Sequence, residues 1–369
     1  MLLAEDKGST SNNENNMMVQ KILSEATSLG ASDIYIVPGS HIVYKVYGRY
    51  QHVTKNPLQS ENVADIIRSL YHMTQGRSIE RCAEGDDDFA VMIPSVGRYR
   101  VNVYRQRMSL ACVIRPITFE IPNPDDMNIP DAVVNLSKFQ KGIILFTGTT
   151  GSGKSTSLAC LIDKINRERE RHIVTIEDPI EFRHIHKKSI VSQRELDTDT
   201  KNYSTALRAA LRQAPDVILV GEMRDYETIS AAITAAETGH LVFSTLHTMD
   251  TASTIERIVD VFPSSQQNQI RVQLAMTLKA VISQQLISSV AGKRHPAFEV
   301  LLVTSAVRNL IRENKTFQIE NILQTSLDIG MKTMNMSLLE LYSKGIISKE
   351  NALLHSANPS ELLKRMESS

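Results

Sequence analysis

The sequence predicts a two-domain α/β protein: a small α+β domain with an antiparallel sheet, then a larger domain whose parallel sheet is covered by helices. Three observations predict it. Short alternating apolar runs fill the first third, and four prolines (Pro116, Pro122, Pro124 and Pro130) crowd the stretch after it. Beyond them, continuous apolar runs alternate with helical stretches. Period-two alternation suits half-buried strands, whereas unbroken apolar runs suit strands buried on both faces. Prolines at that density break regular elements and mark a linker. A length of 369 residues accommodates two domains at ~100–200 residues each.

Residues 1–17 are polar and low in complexity (SNNENN) and read as a disordered tail. From Val19 a helix begins, with Ile22, Leu23, Ala26 and Leu29 on one face and Gly30 placed to end it. Alternating runs follow at Ile34/Ile36 and Ile42/Tyr44/Val46, and Gly48-Arg49 suggests a hairpin into Tyr50–Val53. A second helix fits Glu61–Tyr71, followed by strand-like runs at Phe89–Ile93, Arg98–Tyr104 and Leu110–Arg115. The small domain therefore spans 18–117, the proline-rich linker 118–134 and the larger domain 135–369. In the latter, Ile143–Phe146, Ile173–Ile176, Val217–Val220 and Leu241–Phe243 read as buried parallel strands.

Lysine plus arginine and aspartate plus glutamate each number 41, so the chain lacks the basic excess of proteins that grip nucleic-acid phosphates. Cys82, Cys112 and Cys160 form no C-x-x-C pair, which argues against a zinc knuckle or a disulfide framework. The longest apolar runs, such as Gly142–Phe146 and Phe298–Val303, fall far short of the ~20 residues that span a bilayer. The N-terminus carries Glu5 and Asp6 and no basic stretch of the kind that opens a signal peptide. The expectation is a cytoplasmic protein that associates with a membrane only peripherally.

Gly148-Thr149-Thr150-Gly151-Ser152-Gly153-Lys154-Ser155 matches G-x-x-x-x-G-K-[ST], between the apolar run Gly142–Phe146 and the helical stretch Thr156–Arg167. Its glycines let backbone N–H groups turn inward around phosphates; Lys154 offers charge to the β and γ phosphates, and the Ser155 hydroxyl suits Mg²⁺. Ligands of open parallel sheets bind beyond the carboxyl ends of the strands. By that rule Glu177, Asp178, Glu222 and His247 fall at the ligand end, while Asp216 and His240 fall at the far end. Glu222 is the candidate for activating water or for the outer shell of a metal, with Glu177, Asp178 and Glu181 as alternatives for placing Mg²⁺ or the water. His247 is placed to sense the γ-phosphate. The stretch Arg183–Lys188 reads as a solvated loop. Asn314-Lys315-Thr316-Phe317 lacks the aspartate of the guanine-reading N-K-x-D motif, so ATP is expected over GTP.

These residues together resemble the secretion ATPases of type II secretion and type IV pili. The resemblance is carried by the phosphate loop, TIEDPIEF at Thr175–Phe182, VGEMRD at Val220–Asp225 and AAETGHLVFSTLHT at Ala235–Thr248, and it runs from about Val19 to Asn351. Within the family the chain is most similar to the twitching-motility (PilT-type) retraction ATPases. Ala306–Glu313 (AVRNLIRE) departs from their A-I-R-N-L-I-R-E segment only at Val307, and the chain lacks the four-cysteine zinc module typical of extension and secretion relatives. The resemblance implies a PAS-like N-terminal domain, a RecA-like core and a homo-hexameric ring that works on an inner-membrane platform protein without binding nucleic acid directly. It places Glu181 in an acidic box, makes Glu222 the Walker B glutamate and puts His240 and His247 in a histidine box. It also implies that Arg100 and Arg115 reach ATP after domain closure, with Arg98 and Arg107 as neighbouring competitors, and that Arg308, Asn309 and Arg312 serve the motor. The tail and Ser40–Val43 depart from the family pattern.

Overall fold

The computed structural model describes residues 8–46, 48–74, 77–83, 85–94, 96–117 and 121–367 and divides into two units, up to residue 120 and from Ile121 onward. The first unit runs α1 (Gly8–Ser28), β1 (Ala31–Ile36), β2 (Val43–Val46), β3 (Arg49–His52), α2 (Ser60–His72), β4 (Asp87–Ile93), β5 (Gly97–Gln106) and β6 (Ser109–Ile117). Its strands form an antiparallel sheet in the order β3-β2-β1-β6-β5-β4. Val19, Leu23 and Ala26 of α1 and Ile66, Ile67 and Leu70 of α2 bury against Ile34, Tyr44 and Tyr99. Two tyrosines use their polar ends to pin α1 to the sheet: Tyr44 Oη donates to the Ile22 carbonyl at 2.8 Å and Tyr99 Oη to the Leu23 carbonyl at 3.0 Å.

Helix α1 starts at Gly8, well before the expected start at Val19. The SNNENN stretch holds no proline, so its backbone continues the helix into Val19, Leu23 and Ala26, which are buried. The rest of the expected tail, residues 1–7, lies outside the described residues. Leu29, expected on the inward face, is exposed because the helix ends at Ser28 and Gly30 turns the chain at φ +68°.

The second unit follows in the order α3 (Asp131–Val134), β7 (Gly142–Thr147), α4 (Lys154–Glu168), β8 (His172–Glu177), β9 (Ile190–Glu195), α5 (Tyr203–Ala210), β10 (Val217–Val220), α6 (Tyr226–Glu237) and β11 (Leu241–Leu246). Then come α7 (Thr251–Asp260), α8 (Ser264–Thr277), β12 (Leu278–Ser288), β13 (Arg294–Leu302), α9 (Ser305–Arg312), α10 (Ile319–Thr325), α11 (Met334–Ser343), α12 (Lys349–Leu354) and α13 (Pro359–Glu367). The sheet order is β13-β12-β7-β11-β10-β8-β9, parallel throughout except for β13 at one edge. Register brings Thr147 of β7 opposite Leu246 of β11, and Val220 of β10 opposite Ser244 and Ile176, so four strands end at nearly one level. That shared edge is where the loops with chemical side chains emerge.

Of the stretch expected as a proline-rich linker, the part from Ile121 onward lies in this second unit. Ile129, Val133 and Leu136 are buried with Phe146, Leu161 and Ile165, and Cys160 Sγ donates to the Pro122 carbonyl at 3.2 Å. The prolines interrupt regular structure, yet the apolar residues between them still dock on the core.

One buried carboxylate ties the edge loops to the C-terminal helices. Glu299 Oε1 accepts from both the backbone N–H (2.9 Å) and the hydroxyl (2.8 Å) of Thr251, and Oε2 accepts from the Met334 N–H at 3.2 Å. Burial pushes its carboxyl above the usual range, and these donors pull the other way.

Candidate nucleotide site

The phosphate loop leaves β7 where six successive residues are buried. Gly148 has φ +138°, and a Cβ there would lie 2.3 Å from the carbonyl oxygen of Gln284 and 2.8 Å from Ser152 Oγ. Gly153, at φ +92°, would meet Gln284 Nε2 at 2.7 Å. Gln284 of β12 thus backs the loop, and its Oε1 accepts from Ser157 Oγ on α4 at 2.9 Å. Sequence reading missed Gln284, because only the pairing of β12 with β7 brings it there. Lys154 is buried, and its Nζ donates to the carbonyls of Gly148 (2.8 Å) and Thr149 (2.9 Å). Burial lowers its ammonium pKa, while the carboxylates of Glu181 and Glu222 raise it. Lys154, Glu181 and Glu222 therefore share one electrostatic neighbourhood.

VGEMRD resolves into separate jobs. Gly221 is closely packed, since a Cβ would sit 2.9 Å from Tyr203 Oη and 3.3 Å from the Ile176 carbonyl oxygen. Glu222 Oε2 accepts from Arg224 Nε at 2.8 Å and lies 3.3 Å from His247 Nε2, so the two expected strand-end groups meet. Met223 is buried, and Asp225 caps α6 by accepting from Thr228 N at 2.8 Å. Arg224 and His247 line a cleft of ≈600 Å³ together with Thr150, Thr248 and Arg257. Thr147 Oγ1 donates to the Thr248 carbonyl at 2.6 Å, which ties the loop after β11 to the end of β7.

On the other side of the loop, Ser155 and Glu177 line one cavity of ≈40 Å³ with Phe182, His184 and Gly221. Glu177 Oε1 accepts from Thr175 Oγ1 (2.6 Å) and Gln193 Nε2 (3.2 Å), which fixes the carboxylate at the strand end. Asp178 is exposed, and Thr156 is half-buried on the first turn of α4. Tyr203, which sequence reading also missed, has its hydroxyl pKa raised by burial and then by Asp178, Glu222 and Glu177. Its hydroxyl therefore feels the charge of all three carboxylates.

His184 corrects the reading of Arg183–Lys188 as a wholly solvated loop. It is only 7% exposed, its Nδ1 has no hydrogen-bond partner, and burial pushes its imidazole down to about 4. The consequence for stability has a definite sign. Between pH 4 and 6.5 the unfolded chain binds a proton that the folded chain refuses, so stability falls as pH falls. Going from pH 7 to pH 5, this group is expected to remove about 2 kcal/mol, and His184→Phe should remove that part of the pH dependence. Urea unfolding at the two pH values checks this; equal losses in both proteins refute it.

Other candidates lie apart. His240 Nδ1 sits 2.9 Å from the Ala235 carbonyl and its own carbonyl accepts from Gly142 N, at the opposite end of β11 from His247. Arg100 and Arg115 are in the first unit, cross-strand neighbours on β5 and β6, and pair with Asp88 (2.6 Å) and Asp33 (2.8 Å). Arg308, Asn309 and Arg312 lie exposed on α9, while Val307 and Ile311 are buried.

The residues fit a nucleotide polyphosphate. The glycine cradle has no space for a Cβ at its two ends, Ser152 Oγ is buried without a partner, and a buried ammonium closes the loop. Among the described residues no cluster of three or more His, Cys, Asp or Glu forms a cation cage.

Residues 9–295 match the family described as type II/IV secretion system protein. The chain belongs to that family. Among its relatives, the type IV pilus retraction ATPase PilT of Pseudomonas aeruginosa is 43% identical over 336 residues, covering 91% of this chain and 97% of that protein. The twitching motility protein of Neisseria gonorrhoeae is 44% identical over 315 residues, covering 85% of this chain and 84% of the relative. The crystal structure of the pilus retraction motor PilT with bound ADP matches with a TM-score of 0.86 at 45% identity, over 94% of this chain and 98% of that one. The expected α/β architecture, a P-loop ATPase core behind a smaller N-terminal domain, is the fold shared with that structure.

Proposed function

We propose that this chain is an ATP-hydrolysing motor that works as a homo-hexamer to retract type IV pili. The observation that carries the reading is the near full-length similarity to a retraction ATPase, 43% over 91% of the chain, joined to a phosphate loop with Glu222 and His247 beside it. Lys154 exchanges its two loop carbonyls for β- and γ-phosphate oxygens. Ser155 would hold Mg²⁺ with the phosphates, with Glu177 and Asp178 ordering the surrounding waters, and the ion would supply charge neutralisation at the phosphates. Glu222 orients and deprotonates the attacking water, His247 reads the γ-phosphate, and Glu181 tunes Lys154 through its charge. Arg100 and Arg115 are the cations that complete the site in the working ring. The partner is an inner-membrane platform protein, reached from the cytoplasmic face; no helix among the described residues is long and apolar enough to cross a membrane.

Deleting the gene tests the direction of work. Loss of a retraction motor leaves cells with surplus surface pili and no twitching, scored by pilus counting and colony spreading. Bald cells would instead identify an assembly motor of the same family.

A further inference from the structure

The end of the parallel sheet opposite the phosphate loop carries a second cavity. β12 enters there, with Leu278 opposite Ile143, and β13 leaves there, with Leu302 opposite Ala280, so that Lys279 and Arg308 of α9 come to line one hollow of ≈350 Å³. That volume falls within the ~300–1,000 Å³ typical of ligand sites. Its walls are mostly apolar, with Leu136, Phe139, Leu302 and Ile329 prominent. Phe139 and Ile329 remain 37% and 46% exposed, which leaves an open apolar surface at the rim.

The charge at this cavity is one-sided. Burial lowers the Lys279 ammonium pKa first, and Arg308 and Lys141 lower it further. No acidic residue lines the cavity, and among the described residues none of these three cations forms an ion pair with a carboxylate. Arginines and lysines elsewhere in the second unit do: Arg171 pairs with Asp216, Arg271 with Glu256 and Lys187 with Asp163. Like charges gathered on an apolar wall repel one another, and an anion placed among them restores the balance.

We propose that this cavity is a docking site for a short acidic segment of a partner protein, with carboxylates on Lys279 and Arg308 and an apolar side chain against Phe139 and Ile329. Apolar walls of this size suit a peptide side chain better than a nucleic-acid backbone, which needs a long basic groove, and arginine beside an aromatic residue is a common anchor in protein interfaces. The segment Ala306–Glu313 thereby gains a physical job: Val307 and Ile311 seat α9 on the core, and Arg308 faces the ligand. The inference concerns peptide binding, read without ATP, and stands independently of the motor reading.

The test uses the purified full chain and a fluorescein-labelled peptide of sequence EEFLEE in fluorescence polarisation at low salt. Saturable binding is expected, weakening as salt screens the charges. Arg308→Gln and Lys279→Met are each expected to weaken it roughly tenfold, and Phe139→Ala by a similar factor. Arg308 is exposed, so its variant keeps the fold; Lys279→Met retains the stem that packs over Gly142, and unfolding midpoints verify both. The proposal is overturned by any of three results: no saturable binding, equal binding of a glutamine version of the peptide, or affinity unchanged in both Arg308→Gln and Lys279→Met. Full displacement by an equimolar thymidine oligonucleotide also overturns it, since the site would then be a general polyanion patch.

Discussion

Glu222→Gln is expected to lower ATP turnover by about 10²–10⁴-fold while nucleotide still binds. Glutamine keeps the length and one acceptor oxygen of the side chain but accepts no proton from water. It also loses the charge that holds Arg224 Nε at 2.8 Å and faces His247 Nε2 at 3.3 Å. The phosphate loop is untouched by the change, because Lys154 is held by the Gly148 and Thr149 carbonyls rather than by Glu222. Phosphate release at saturating ATP gives the rate, and titration with a fluorescent nucleotide gives the affinity. Turnover within twofold of the parent, with binding intact, would remove Glu222 from the water-activating role.

Gly148→Ala should damage both stability and binding, while Gly151→Ala three residues on should be mild. At Gly148 the added methyl meets a backbone carbonyl at 2.3 Å in a backbone conformation that L-residues rarely adopt. The loop or β12 has to shift, at a cost of about 2–4 kcal/mol. At Gly151 (φ +80°) nothing lies within 4 Å of the added carbon, so only the left-handed backbone penalty of about 1 kcal/mol applies. Urea denaturation and nucleotide titration of the two variants separate a crowded glycine from a merely left-handed one. Equal effects at both positions would mean that Gln284 does not brace the loop.

Much of this architecture was legible in the residues because periodicity reports burial. β7, β8, β10 and β11 carry nearly unbroken apolar runs and are buried on both faces. β9 and β12 escaped notice for the opposite reason. Residues 190–195 are half-exposed at the sheet edge, and β12 interrupts its apolar residues with Lys279, Ser283, Gln284 and Gln285. The rule that ligands gather at strand carboxyl ends placed Glu222 and His247 on the same edge, and they prove to be neighbours. The same rule sent His240 to the far end, where it is found. Local sequence carried no comparable signal for Tyr203, Gln284 or His184. Each reaches the site through strand order or the packing of a loop, which is visible only once separate strands are aligned. Arg100 and Arg115 were found by resemblance, and their pairing with Asp88 and Asp33 has no signature in spacing.

The Glu299 carboxylate joins two helix starts far apart in sequence. One of them, Thr251, begins α7 only four residues after His247, and the other, Met334, opens α11. The intervening backbone is fastened too, since Ser283 Oγ donates to the Met249 carbonyl at 2.6 Å. A buried carboxylate with three donors resists being pulled apart, because every released donor would be left without water. The loop that follows His247 and the start of α11 are therefore fastened to one shared anchor, so releasing either from Glu299 strands the donors of the other.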